Sequence, residues 1–567
     1  MILIRSFHSK SGPRSGGFFC FFVLTTLSIV LCSSHAAEIE DVIPAYSVGY
    51  AVIRDVPGIW DSMKSSSSWQ SLLSSDELNG EMRDIEAAMN LAGELLGVDL
   101  RSLVGLFGQR VAFALIHIDI MNTSLPVVIA DVDGSEGAPE MIRKIQQALS
   151  QSEEYEIQPE AGTYQNIPYG LLKRREEEFS VRYVFLENLF VLAPGQESFE
   201  AVVDVYLGKD PPLVYDPKFN KVKSRVSMDS QIFFYVNLEH PWAVVLSMWG
   251  SEWGEALRTL GVQQIKSIAW TVNLLDATRD QELYIYTGNN SSLLTALLAE
   301  PKPLISTHLI PAEDAYMFLA ANVGDPASAW ESILDAVRSI TSEEGYAQIQ
   351  SGIYEFEQET GLNLKDDILS SLTGEIGFAT SAPEAVNDID NLESLMKNGL
   401  MIFCGVKDRE RLRMSIERTL SAADARVEQM VYKGVTTYLF SHILAPSDQE
   451  IPIGYMFAGD LLIFGNFQKF ESIINENPPL VVSDKFAQIN SRIPKESGLL
   501  CYLDLEKVWG LMARSEADMR RLQTLGATGG IMVYDGEGLK AKSVGALGKD
   551  WLETIGNLAY LLIHAPF

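Results

Sequence analysis

The string Ile43-Pro44-Ala45 returns as Ile310-Pro311-Ala312, an offset of 267 residues. The same offset carries "PPLVYDPKF" (Pro211 to Phe219) onto "PPLVVSDKF" (Pro478 to Phe486), and "SQIFFYVNLEHPW" (Ser230 to Trp242) onto "SGLLCYLDLEKVW" (Ser497 to Trp509). Between these anchors the offset drifts, as loop insertions cause. Trp60 then aligns with Trp330, "YVFLENLFVL" with "YMFAGDLLIF", and Thr259-Leu260-Gly261 with Thr524-Leu525-Gly526. Self-similarity constrains a fold more than any local signal, because one set of packing solutions has to serve twice. The chain reads as a tandem duplication: copy one over 43–309 and copy two over 310–567, after an N-terminal segment 1–36 and a short linker 37–42. Units of this length are domains, not solenoid repeats.

Within each copy, alternating or continuous apolar runs predict strands. In copy one these are "YSVGYAVI", "RVAFALIHI", "LPVVIADV", "YGLLKRR", "VRYVFLE", "LFVLA", "IFFYVNL", "IKSIAWTVNLL" and "QELYIYTG". Apolar residues recur at helical spacing in "ELNGEMRDIEAAMNLAGELLG" and "APEMIRKIQQALS". "GDPASAW" sets Asp325 as a helix cap with Pro326 in the first turn, and "RDVPGIW" repeats the device with Asp55 and Pro57. Asn237 and Asp504 are expected caps where a strand gives way to a helix. Strands joined by both hairpins and helices place the chain in the α+β class, each copy with largely antiparallel sheets and packed amphipathic helices.

The N-terminus reads as a secretory signal. Arg5, Lys10 and Arg14 precede the apolar run "FFCFFVLTTLSIVL", and Ser34 and Ala36 occupy the positions a signal peptidase reads. The expected location is extracytoplasmic, in the periplasm or at the cell surface; an uncleaved N-terminal helix acting as an anchor is the alternative. No later apolar run has the length of a membrane span. Removal of residues 1–36 takes away three basic residues and no acidic one, which moves the formal charge from −31 to −34. So acidic a chain repels nucleic acid.

The sequence holds no nucleophile elbow, P-loop or dinucleotide fingerprint. His117, His240, His308, His442 and His564 form no ligand-spaced cluster, so no metal or cofactor is expected. Cys404 and Cys501 align with Ile129 and Phe234, which reads them as core positions; a disulfide between them is the alternative. One constellation recurs in both copies: Glu239 with Trp242, and Glu506 with Trp509. If the copies presented these ends to each other, two carboxylates would flank one cleft as acid and base. The structural reading is a helix-start Glu complementing the macrodipole and a Trp buried one turn on.

"GLNLKDDILSSLTGEIGFA" (Gly361 to Ala379) reads as a capped helix, a Gly turn and a strand, and "GVDLRSLVGLFGQRVAF" (Gly97 to Phe113) is its shortened counterpart. The pattern resembles an uncharacterised family of exported bacterial proteins catalogued as domain of unknown function 3352. Gly361, Asn363, Asp366, Asp367, Gly374 and Glu375 match it, with Asn where the family has Asp. Copy one keeps Gly97, Asp99 and Gly108, with Gln109 for Glu. The resemblance implies export and architecture but no activity. Asp99 and Asn363 are expected to cap, and Gly108 and Gly374 to permit the turn.

The expected function is non-catalytic binding of an envelope partner or hydrophobic ligand at or near the interface of the two copies. A hydrolase using the paired carboxylates and a purely structural or adhesive surface protein are the alternatives.

Overall fold

The computed structural model describes residues 38–65, 110–117, 126–132, 155–174, 180–239, 262–275, 280–288, 298, 301–381, 399–440, 452–510 and 526–545. Ten of the described strands fall before residue 300: β1 (Gly49–Arg54), β2 (Arg110–Leu115), β3 (Val127–Asp131), β4 (Tyr155–Tyr164), β5 (Ile167–Arg174), β6 (Ser180–Leu186), β7 (Leu189–Pro194), β8 (Ile232–Asn237), β9 (Ser267–Val272) and β10 (Gln281–Tyr286). Ten more follow: β11 (Met317–Asn322), β12 (Leu372–Thr380), β13 (Leu400–Val406), β14 (Val427–Tyr432), β15 (Val435–Phe440), β16 (Ile453–Ala458), β17 (Leu461–Asn466), β18 (Leu499–Asp504), β19 (Ala527–Tyr534) and β20 (Gly538–Gly545). The described helices are α1 (Val56–Ser65), α2 (Gln196–Tyr206), α3 (Pro217–Lys223), α4 (Pro326–Ile340), α5 (Glu343–Thr360), α6 (Arg409–Ala422), α7 (Phe467–Ile474), α8 (Asp484–Asn490) and α9 (Leu505–Gly510). None is long and apolar enough to cross a membrane.

All twenty strands belong to one antiparallel sheet, where separate sheets were expected in each copy. The first half runs β4-β5-β6-β7-β3-β2-β1-β8-β9-β10. From β10 the order continues β20-β19-β18-β11-β12-β13-β17-β16-β15-β14. The second half is thus the first in reverse, and the seam is the antiparallel pair β10–β20.

The strings that recur in the sequence meet in space. Pro44 bridges Pro212 and Pro311 bridges Pro479. Leu213 N–H donates to Ile43 O at 2.7 Å, and Leu480 N–H to Ile310 O at 2.8 Å. The short helix that follows is capped by Asp216 in one half and Ser483 in the other, each accepting a first-turn backbone N–H. It then packs a phenylalanine edge-on against a tyrosine of the neighbouring strand: Phe219 on Tyr235 at 5.1 Å and Phe486 on Tyr502 at 5.4 Å between ring centroids. Each half thereby builds its own core on the same side of the sheet, around Tyr50, Phe199 and Phe233 in one and Phe318, Phe403 and Phe470 in the other. A 3-10 turn at Ile39–Asp41 precedes the first Ile-Pro-Ala string, and one at Ser306–His308 precedes the second.

The expected caps are present at Asp325, which accepts Ser328 N–H at 3.1 Å, and at Asp55, which accepts Gly58 N–H at 3.0 Å. Gly361 ends α5 in the left-handed region, and Asn363 accepts Asp366 N–H at 2.8 Å. Gly374 departs from expectation. It lies inside β12, where the register with β13 shifts, and not in a turn. Its φ is 100°, and a Cβ there would meet the Gly324 carbonyl oxygen at 2.0 Å. Beside it, buried Glu375 accepts two backbone N–H groups, from Ile305 and Ser306, both at 2.9 Å. The strand register makes Arg110 its counterpart, not Gln109. Arg110 ties the equivalent 3-10 turn through Glu38 and also donates to Asp131 at 2.7 Å. Gly97, Asp99 and Gly108 lie outside the described residues.

Cys501 is exposed on the outward side of β18, equivalent to Phe234 as expected, so it is no core position. Cys404 corresponds to Ala130, one residue from the expected Ile129. The two thiols are free and stand three strands apart, roughly 14 Å at ordinary strand spacing. A disulfide needs Cα atoms within about 7 Å. Burial raises the Cys404 thiol pKa to about 12.

Candidate functional site

Glu239 and Glu506 sit just beyond the ends of β8 and β18, and each is held within its own half. Glu239 pairs with Lys218 of α3, and its N–H donates to Asn237 Oδ1 at 3.2 Å. Glu506 pairs with Lys485 of α8 at 2.8 Å, and the same ammonium donates to Asp504 at 2.9 Å. Burial works against the Lys485 charge, but its hydrogen bonds to Asp504 and Glu506 outweigh that and raise its pKa. Asp504 also accepts Lys507 N–H at 3.3 Å, and so caps α9 as expected. These contacts fasten a helix start to a strand end.

The two glutamates are not brought together. Five strand spacings separate β8 from β18, roughly 24 Å, and the register puts the two residues at opposite strand ends. Acid–base pairs in glycoside hydrolysis stand about 5–9.5 Å apart. Trp242 and the Trp509 side chain lie outside what the structure describes. His117 stacks on Tyr46 at 5.4 Å. Among the described residues, no group of three His, Cys, Asp or Glu gathers as metal ligands.

What joins the halves is the seam. Its central register pairs are Gln281 with Ser543, Glu282 with Lys542, and Leu283 with Ala541. Following the register out through β9 and β19 makes Glu282 and Lys542 equivalent positions of the two halves. A twofold relation therefore passes through this one pair. On the helix-bearing side the seam is charged: Lys542 lies 3.7 Å from Glu282 and 3.5 Å from Asp280, and Arg492 donates to Asp280 at 3.0 Å. Further along, Arg225 pairs with Glu537 at 2.9 Å, and Tyr284 donates to Asp535 at 3.1 Å. The sequence reading missed this cluster. Its signal was there in the opposite charges of "DQELY" and "LKAKS".

On the other side the sheet carries no charge at all along its central row. Reading register partners strand by strand from β3 gives Val128, Phe113, Ala51, Phe234, Trp270 and Leu283. Across the seam follow Ala541, Met532, Leu499, Ala321, Ile376 and Cys404. Four members of the row are open to solvent, Phe113 at 37%, Phe234 at 39%, Trp270 at 40% and Ile376 at 42% exposed, and the members between Trp270 and Ile376 are half-buried. The ends are closed. In the second half, Leu412 of α6 packs over Leu462, Tyr455 and Phe457, and in the first half the row ends at buried Tyr183. An uncharged apolar row with several large side chains open to solvent is uncommon on a protein surface and marks a contact site. "IFFYVN" foreshadowed it, being apolar toward both faces.

Fold and site together define an α+β protein with one antiparallel sheet, a core face, an uncharged apolar face and a charged seam at its centre. The chain belongs to the family described as Protein of unknown function (DUF3352), whose sequence model matches residues 107–531. No curated protein matches it. Among solved structures, crystal form III of TP0453, a spirochete lipoprotein, is 11% identical, covering 47% of this chain and 89% of its own at a TM-score of 0.25. Crystal form I of TP0453 is 12% identical, covering 46% and 82% at the same TM-score of 0.25. Likeness that slight carries no argument about fold or function.

Proposed function

We propose that this chain is a non-catalytic, exported envelope protein that binds a hydrophobic ligand along the apolar face of its sheet, across the seam. The observation that carries the reading is the uncharged row on which Phe113, Phe234, Trp270 and Ile376 are open to solvent and the members between are half-buried. On a chain with formal charge −31, a row of large apolar side chains free of charge favours apolar contact there. The reversed strand order supports the reading of the two halves as copies of one module, over 43–309 and 310–567, joined edge to edge so that the strip is shared. The basic and apolar segment within residues 1–36 supports export with cleavage after Ala36.

The test is titration of the full chain with the neutral probe N-phenyl-1-naphthylamine, read by its fluorescence and by quenching of tryptophan. Saturable binding is expected, with Trp270→Thr weakening it tenfold or more. Tyr215→Ser, an exposed aromatic off the strip, leaves it unchanged. Absence of saturable binding, or equal binding by the Trp270 variant, would sink the reading. The mass of the protein from its own envelope fraction checks the cleavage site.

A further inference from the structure

Asp280, just before β10, and Glu282 within it correspond to Lys540 and Lys542 of β20, so the two sides of the seam match in position and oppose in charge. On the lysine side, the helix-bearing face opens into a cavity of about 330 Å³. Ile493, Ile531 and Val533 supply its apolar lining, and Lys540, Lys542, Arg492 and Glu282 its charge. Arg492 is engaged with Asp280 at 3.0 Å. Glu282 accepts Ser227 N–H at 2.9 Å, which takes up one of its oxygens. The lysines are held more loosely. Lys542 Nζ stands 3.5 Å from Asp280 and 3.7 Å from Glu282, and Lys540 Nζ 3.9 Å from Glu282. Those are ion-pair distances beyond ordinary hydrogen-bond length, and each ammonium has three N–H donors to place.

The geometry points to a binding site for a small organic anion, a carboxylate or phosphate monoester with a short apolar tail. Its oxygens bridge Lys540 and Lys542, and its tail lies on Ile531 and Val533. The site is distinct from the hydrophobic strip, which occupies the opposite face of the sheet. Ammonium groups suit it because they act as compact point charges and need no planar bidentate partner. The surrounding chain is acidic and repels anions at large, so whatever anion binds does so locally.

The experiment is isothermal titration of the full chain with hexanoate, hexyl phosphate and inorganic phosphate at low ionic strength. One-to-one saturable binding of a hexyl ligand is expected. It should weaken at least tenfold in Lys540→Gln/Lys542→Gln and at 0.5 M salt, where screening shortens the reach of charge to a few ångström. Val533→Trp fills the cavity, keeps both ammonium groups and should weaken binding as much, so the answer survives if the double variant fails to fold. No saturable binding to the wild-type chain, or undiminished binding to Val533→Trp, overturns the site. Inorganic phosphate binding as tightly as hexyl phosphate overturns the apolar half of the proposal.

Discussion

Glu282 and Lys542 occupy the same position in the two halves and face each other across the seam, with Lys542 Nζ 3.7 Å from the Glu282 carboxylate. Identical copies joined this way would set like charge against like at the axis; here they carry opposite charges. Lys542→Glu places a third carboxylate beside Asp280 and Glu282. It should cost about 1–2 kcal/mol, between the limits for exposed and buried pairs. Adding Glu282→Lys should recover part of the loss, but not the Ser227 hydrogen bond that Glu282 accepts. A double-mutant cycle in urea measures this, and purely additive losses would show that the pair is not coupled.

Two glycines of one motif should respond very differently to alanine. At Gly361 the φ of 64° asks for the left-handed region but the space beyond is open, so Gly361→Ala should cost about 1 kcal/mol. At Gly374 the φ is 100° and a Cβ would lie 2.0 Å from the Gly324 carbonyl oxygen, which is backbone and cannot turn away. Gly374→Ala should cost about 3 kcal/mol or more, because strain and overlap add. Denaturant midpoints of the two variants decide it; equal losses would contradict the bulge geometry.

Asp325 caps α4, and hydrogen bonds from the Ser328 side chain and then its backbone N–H hold its carboxyl below the ordinary 3.8. A depressed pKa means stability that is present above the unfolded value and lost as pH falls through the folded one. Asp325→Ala should therefore cost about 1 kcal/mol at neutral pH, the usual worth of such a cap. The gap between variant and wild type should narrow as pH drops below 3.8. Asp325→Asn keeps the cap and should remove that pH dependence. Urea melts at several pH values test it; a gap that stays constant into acid would contradict the assignment.

Much of the fold was legible residue by residue. Alternation marked β1, β2, β3, β8, β9 and β10, and Asp325 and Asn363 announced their caps. β4 went unread because Pro159 lies in it and its register shifts between Gln158 and Gly162, which breaks the period that marks a strand. The glutamate pair was legible as a recurring string but misleading as a site, since recurrence along the chain says nothing about proximity. Glu239 and Glu506 land at opposite strand ends because the halves are related by a turn about the β10–β20 pair. The apolar strip was half legible: "IFFYVN" declared two apolar faces, but not which neighbours would extend them.

The sequence alone determined which strings recur and where strands such as β1, β8 and β9 lie, because those properties live in side-chain order along the chain. Only the tertiary structure decided that β10 pairs with β20, that the twenty described strands make one sheet, and that Trp270 and Ile376 fall on one uncharged row. The reason lies in the backbone. Its N–H and C=O groups are the same at every residue, so a strand's alternation fixes its faces but leaves its partner to contacts made far away in the chain.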